Sequence, residues 1–192
     1  LQDRNAYLEK EVQRRTREVV AIQDVTIVAL ASLAETRDNE TGGHIRRTQH
    51  YVRALAKKLQ THPRFASFLS DETIELLFKS APLHDIGKVG IPDAVLQKPG
   101  RLTPEERKVI ELHPEIGGDT IGKVRERLGT ADHELKATEY LRRAMEITYG
   151  HHEKWDGTGY PYGTTGEGIA LSARLVAVAD VYDALVSKRV YK

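Results

Sequence analysis

Imidazoles and carboxylates fall at five separated places along the 192-residue chain: Glu40 with His44, the pair His84-Asp85, His113, the pair His151-His152, and Asp180. Together these side chains suit iron, manganese or zinc. There is no cysteine, so a thiolate nucleophile, a disulfide and a Cys-type zinc site are all excluded. Each of the five places has an ordinary reading when taken alone. An adjacent His-Asp pair is common by chance, and Glu40 and His44 are separated by Gly42 and Gly43, which leaves their local geometry open. Asp180 lies among Val176, Ala177, Val178, Ala179 and Val181, where an ionised carboxylate requires a cation or hydrogen-bond donors. It is either a salt-bridged residue near a helix end or a ligand facing something positive. The five places taken together are what points to a metal centre.

Helices must bring these residues together. Steps of seven from Leu1 and from Asn5 reach Leu1, Leu8, Arg15, Ile22 and Ala29, and Asn5, Val12, Val19, Thr26 and Leu33. Seven of these ten are apolar, a seam narrower than a globular packing face, which predicts a coiled-coil helix over 1–34 that dimerises. The other reading is an amphipathic helix lying on its own domain. A break at 37–43 separates it from a second helix starting at about His44, with Ile45, Thr48, Val52, Leu55, Ala56 and Leu59 on one face. Asp71 is the expected N-cap of a third helix running on to His84-Asp85, with Gly87 and Gly90 ending it. Thr103-Pro104-Glu105-Glu106 reads as a capping box, opening a helix that His113-Pro114 closes. Five glycines within twelve residues, Gly157, Gly159, Gly163, Gly166 and Gly168, demand a shaped loop. The stretch 171–185 is apolar on nearly every face and is expected to be a core helix. No alternating run reads as a strand, so the fold class is all-α.

With 29 Lys+Arg against 28 Asp+Glu and 40% hydrophobic residues, the chain has enough apolar content for a core and no global field to gather nucleic acid or membrane. An anionic ligand needs a local site. The longest nearly apolar run, 25–34, is half of the roughly 20 residues a membrane span requires, which predicts a soluble, cytoplasmic protein.

Five blocks carry a family resemblance: Arg37-Asp38-Asn39-Glu40-Thr41-Gly42-Gly43-His44, His84-Asp85-Ile86-Gly87-Lys88, His113-Pro114-Glu115-Ile116-Gly117, His151-His152-Glu153-Lys154-Trp155-Asp156-Gly157-Thr158-Gly159-Tyr160-Pro161, and Asp180-Val181-Tyr182-Asp183-Ala184-Leu185. In this order they resemble the HD-GYP domain, a branch of the HD superfamily of metal-dependent phosphohydrolases. The resemblance covers residues from about 35 onward, so the expected division is a coiled-coil signalling helix over 1–34 and a phosphohydrolase domain over 35–192.

The resemblance implies an HD-superfamily helical bundle with two or three divalent ions, iron or manganese, hydrolysing the bacterial second messenger cyclic di-GMP. Carried over by position, the metal ligands are His84, Asp85, His113, His151, His152 and Asp180, with Glu40 and His44 matching the extra ligands of trinuclear members. His84, Asp85 and Lys88 are the catalytic candidates. Lys88, Gly159, Tyr160, Pro161, Arg189 and Lys192 are the substrate-binding ones, with Tyr160 offering a face to guanine. The implied chemistry is coherent, because metals bridged by a carboxylate, Asp85 being the natural bridge, supply positive charge and a nucleophile to an anionic phosphodiester. His50, His62 and His133 match no motif and are expected in solvent, while Trp155 is either pocket wall or core.

Two departures qualify the transfer: the stretch between His113 and His151 is longer than expected, so 124–141 covers the site or reaches a partner, and the chain ends at Lys192 without the usual helical tail. A leading helix that begins mid-heptad suggests an upstream sensory or receiver domain, as in a two-component response regulator. Diguanylate cyclase domains are further candidate partners. The competing functions are a non-catalytic module that binds cyclic di-GMP or docks a cyclase, and an HD phosphohydrolase for another nucleotide.

Overall fold

The heptad-patterned stretch forms one helix, α1 (Gln2–Glu35), in the computed structural model, which describes residues 2–37, 43–127 and 136–187. Its N-terminal part stands away from the rest, leaving Leu8, Val12, Val19 and Ile22 exposed. From Asp24 onward it engages the domain. Asp24 pairs with Lys79 at 2.9 Å, and Ala31 and Ala34 are buried. Packing on its own domain therefore describes only the end of α1.

Seven further α-helices follow among the described residues: α2 (His44–Leu59), α3 (Asp71–Ser80), α4 (Asp93–Leu96), α5 (Pro104–Ile110), α6 (His113–Arg127), α7 (Lys136–Gly150) and α8 (Leu171–Val186). Among the described residues there is no strand, only an isolated antiparallel bridge between Asp156 and Thr165. The core forms where α2, α3, α7 and α8 meet, with Val52, Ala56, Leu69, Ile74, Leu77, Ile147, Leu175, Val176 and Ala179 buried together. Ile45, Thr48, Val52 and Ala56 of α2 are buried as their spacing predicts.

Several local expectations are corrected. The N-cap of α3 is Ser70, whose hydroxyl accepts from Thr73 N–H at 3.1 Å, and Asp71 is the first helical residue. This helix stops at Ser80 and gives way to a 3₁₀ turn, Ala81–Leu83, with Pro82 in it, so His84 and Asp85 lie beyond the α-helix. Gly87 and Gly90 belong to a second 3₁₀ turn, Ile86–Gly90. The capping box at Thr103 and Glu106 forms with both bonds present, but α5 ends at Ile110. His113 begins α6, and Pro114 occupies the first turn, where the missing N–H has no intrahelical acceptor to lose. The helix α8 is not buried all round, because Val178, Val181, Tyr182, Leu185 and Val186 are exposed while Ser172, Leu175, Val176, Ala179 and Asp183 face inward. Its inward face is set by position in the bundle, which hydropathy could not show. Of the stretch 124–141, expected to cover the site or reach a partner, residues 124–127 end α6 and 136–141 begin α7, while 128–135 lie outside the described residues, as do Glu40, His133, Arg189 and Lys192. His50 and His62 are exposed, as expected.

Close backbone approach, not chain flexibility, explains two glycines. A Cβ on Gly87 would stand 1.9 Å from the carbonyl oxygen of His113, and one on Gly117 would stand 2.7 Å from the Thr148 side chain. The Ile86–Gly90 turn thus lies directly against the start of α6. Gly87→Ala is expected to cost about 1–3 kcal/mol of overpacking, lowering the melting temperature by several degrees, on the order of 2–4 °C per kcal/mol. Gly122→Ala, whose Cβ meets only Met145 Cε at 3.4 Å inside α6, should be neutral or slightly stabilising by helix propensity. Thermal unfolding followed by circular dichroism separates the two.

Candidate metal centre

Five chain segments converge at one end of the bundle. His44 comes from the first residue of α2, His84 and Asp85 from the junction of the two 3₁₀ turns, His113 from the start of α6, His151 and His152 from just past α7, and Asp180 from α8. Two groups result, each with ligand atoms within 4.8 Å of one another: Asp85 with His113, His151 and His152, and His44 with His84 and Asp180. Asp85 joins them. Its Oδ1 lies 3.1 Å from His113 Nε2 and 3.5 Å from His151 Nε2, while Oδ2 lies 3.4 Å from His84 Nε2 and 2.7 Å from Lys88 Nζ.

The orientation of the rings follows from the backbone. His84 Nδ1 donates to the Ala81 carbonyl at 2.8 Å, His113 Nδ1 to Ile110 at 2.7 Å, and His151 Nδ1 to Thr148 at 3.0 Å. These carbonyls assign the proton of each neutral imidazole to Nδ1, leaving a lone pair on each Nε2. His113 Nε2 and His151 Nε2 then face each other at 3.3 Å with no proton between them. His84 Nε2 and Asp85 Oδ1 are buried without a hydrogen bond. Converging lone pairs beside a carboxylate fit a divalent cation, with the carbonyls as the outer contacts that orient metal-binding histidines.

The electrostatics agree. Burial opposes a charged His84, but the Asp85 carboxylate outweighs it and pushes the ring up to about 9, so this position draws in positive charge. Burial also works against ionised Asp85, yet Lys88 and His84 hold it well below the usual carboxylate range. His151 and His152 are shifted down by burial and by neighbouring imidazoles, which keeps them neutral, the form that ligates metals.

Two carboxylates that sequence reasoning did not single out support the site. Asp183 is buried, receives His44 Nδ1 at 2.8 Å and takes the Arg47 guanidinium at 2.6 and 3.0 Å. Burial raises its pKa, but Arg47 and His44 overcome this and hold it at about 2. Its spacing of three from Asp180 on one helix was the available signal. Glu153 is buried next to His152 and accepts the N–H groups of Tyr162 (2.8 Å) and Thr164 (3.0 Å), pinning the glycine loop. Within that loop, a Cβ on Gly159 would stand 2.3 Å from Lys154 N, and the Tyr160-Pro161 peptide is cis. Tyr160 stacks on His152 with centroids 4.7 Å apart, so one face of its ring is already covered. Burial keeps its hydroxyl protonated. Trp155 is exposed at the loop surface and is not core.

The HD domain family model matches residues 28–192. The chain is 53% identical over its whole length to a protein named probable cyclic di-GMP phosphodiesterase from Vibrio cholerae serotype O1, covering 42% of that protein. It is 57% identical over 91% of its length to a cyclic di-GMP phosphodiesterase of the same organism, covering 34% of it. Identity is 40% over 95% of the chain to the cyclic di-GMP phosphodiesterase response regulator RpfG of Xanthomonas campestris pv. campestris, covering 41% of that protein. The chain thus spans less than half the length of these curated relatives. With the family model matched across the bundle and the paired histidines and carboxylates assembled around Asp85, the chain belongs to the HD domain family.

Proposed function

We propose that this chain is the hydrolytic domain of a metal-dependent phosphodiesterase acting on cyclic di-GMP. The observation that carries the reading is the convergence of His84, His113 and His151 on Asp85, with every Nδ1 proton directed to a backbone carbonyl. The names of the relatives supply the substrate class. One ion would be held by Asp85, His113, His151 and His152, a second by His44, His84 and Asp180, with Asp85 between them. The match of Glu40 to a third-metal ligand supports a trinuclear version. Iron or manganese suits this nitrogen and oxygen set. Bound there, such ions acidify water and withdraw charge from phosphoryl oxygens.

The chain's own residues do the rest. Hydrolysis adds water across one P–O bond of the diester, leaving a phosphomonoester and a free hydroxyl. Lys88, held 2.7 Å from Asp85, is placed to neutralise a non-bridging phosphoryl oxygen. Tyr160, braced by Gly159, Pro161 and the face of His152, lines the approach and orients the base through its uncovered edge. Arg189 and Lys192 complete the phosphate contacts by family position. A second messenger as substrate places the domain in the cytoplasm, and among the described residues no helix is long and apolar enough to cross a membrane. The exposed Leu8, Val12, Val19 and Ile22 support dimerisation through α1, and an upstream sensory or receiver domain feeding α1 completes the arrangement. Diguanylate cyclase domains are candidate partners on the same signalling logic.

Three outcomes check this reading. Protein purified without oxygen should carry two to three iron or manganese atoms per chain by elemental analysis, falling to one or none in His84→Ala and Asp85→Ala. Those variants should lose cyclic di-GMP hydrolysis by at least about 1000-fold, in line with removal of a metal-held catalytic centre, and keep their helical circular dichroism. Binding of cyclic di-GMP without turnover by metal-loaded wild type would favour a reader module, and turnover of another nucleotide alone would move the substrate. Val12→Glu with Val19→Glu should convert a dimer to a monomer by light scattering.

A further inference from the structure

The end of α1 grips two segments of the site. Glu35 Oε1 accepts the Ile45 N–H at 3.2 Å, in the first turn of α2 immediately after His44. Two residues on, Arg37 reaches across to the segment that follows Asp85. Its guanidinium donates to the carbonyls of Lys88 (3.4 Å), Val89 and Ile91 (2.9 Å), and pairs with the Asp93 carboxylate at 2.6 and 3.2 Å. Those carbonyls close the Ile86–Gly90 turn, whose own bonds run from Lys88 N to Asp85 O (3.0 Å) and from Ile91 N to Lys88 O (3.1 Å). The last carbonyls of a helical turn lack partners within it. A planar fork of five donors serves several of them at once, which an ammonium group does not. The same turn carries Lys88 to within 2.7 Å of Asp85, and Gly87 locks its other side against His113.

We infer that Arg37 is a positioning residue, holding the turn that presents Lys88 at a fixed distance from the end of α1, so that displacement of α1 is transmitted to the edge of the metal centre. The last turns of α1 are anchored by buried Ala31 and Ala34, whereas the seam before Asp24 is exposed. A rigid helix with one anchored end acts as a lever on whatever is bonded to that end. The inference takes the role of Lys88 from the phosphodiesterase reading above, while the Arg37 geometry stands by itself.

The test uses Arg37→Ala and Arg37→Lys in the full chain, assayed on cyclic di-GMP and on bis(p-nitrophenyl) phosphate, a diester without a nucleoside. The expected result is a kcat lowered by about 10- to 100-fold, the scale of a misplacement near 1 Å, with KM and metal content unchanged and amide exchange at 88–91 accelerated. Millimolar guanidinium should restore part of kcat in Arg37→Ala and not stimulate wild type. Arg37→Lys should stay low. Wild-type kcat in Arg37→Ala, or a loss that guanidinium does not relieve and that comes with loss of metal, overturns the inference. If wild type cleaves only the nucleoside-free diester, the cyclic di-GMP reading fails and Arg37 is still judged on that diester. If wild type cleaves neither, amide exchange decides, and unchanged protection at 88–91 in Arg37→Ala overturns the inference.

Discussion

The arrangement depends on a charge that an apolar bundle cannot hold alone: the Asp85 carboxylate, drawn in among His84, His113 and His151. Burying an ionised carboxylate costs several kcal/mol unless positive charge or donors compensate, and the three nearest imidazoles have already committed their Nδ1 protons to backbone carbonyls. Lys88, at 2.7 Å, and the upward-shifted His84, at 3.4 Å, offer positive charge to one oxygen of the carboxylate. The other oxygen faces two Nε2 lone pairs. A divalent ion resolves both problems at once, converting repulsion between lone pairs into coordination, and the folded chain is in this sense built around a charge it does not itself contain.

The carbonyls that fix these rings are available because each histidine sits where regular structure stops or starts. His84 follows a 3₁₀ turn, His113 opens α6, and His151 lies just past the end of α7. A carbonyl three residues upstream is then within reach of Nδ1, which a mid-helix ring on a crowded face would not find so readily. Gly87 lets the Ile86–Gly90 turn lie directly on α6, and Gly117 lets α6 lie close on both that turn and Thr148 of α7, setting the spacing between Asp85, His113 and His151. Precision comes from backbone contact, which is stiffer than side-chain packing.

The same logic separates the two ends of α1. Its final turns bury alanines, whose small side chains permit close approach, and they carry the long-range bonds of Glu35 and Arg37. Its earlier turns expose Leu8, Val12, Val19 and Ile22, at roughly 25 cal/mol for each Å² of apolar surface left in water. A helix of 34 residues is about 50 Å long at 1.5 Å per residue, far more than its own domain covers. The seam is therefore surplus to the fold of the single domain and available for association.

Helix positions were largely legible in the sequence, because apolar spacing, capping boxes and glycine breaks are local signals, whereas the candidate ligands were named through the family resemblance and it is the fold that brings His44, His84, Asp85, His113, His151, His152 and Asp180 together. Asp180 and Asp183 show where legibility ended. A carboxylate in an apolar helix needs positive company, the expectation for Asp180, yet Asp183 meets that need most fully. It is buried and has both oxygens engaged by Arg47 and His44. Which of two carboxylates three residues apart lies deeper depends on the rotation of α8 against α2, a tertiary quantity that a helix apolar on nearly every face does not encode. Once that rotation is known, the division of labour follows from partners alone. Asp183 has given its oxygens to Arg47 and to His44 Nδ1, which sends His44 Nε2 toward Asp180 at 3.4 Å. The inner carboxylate orients the imidazole, and the outer one is left beside Nε2, the pair to which the proposed function assigns a cation.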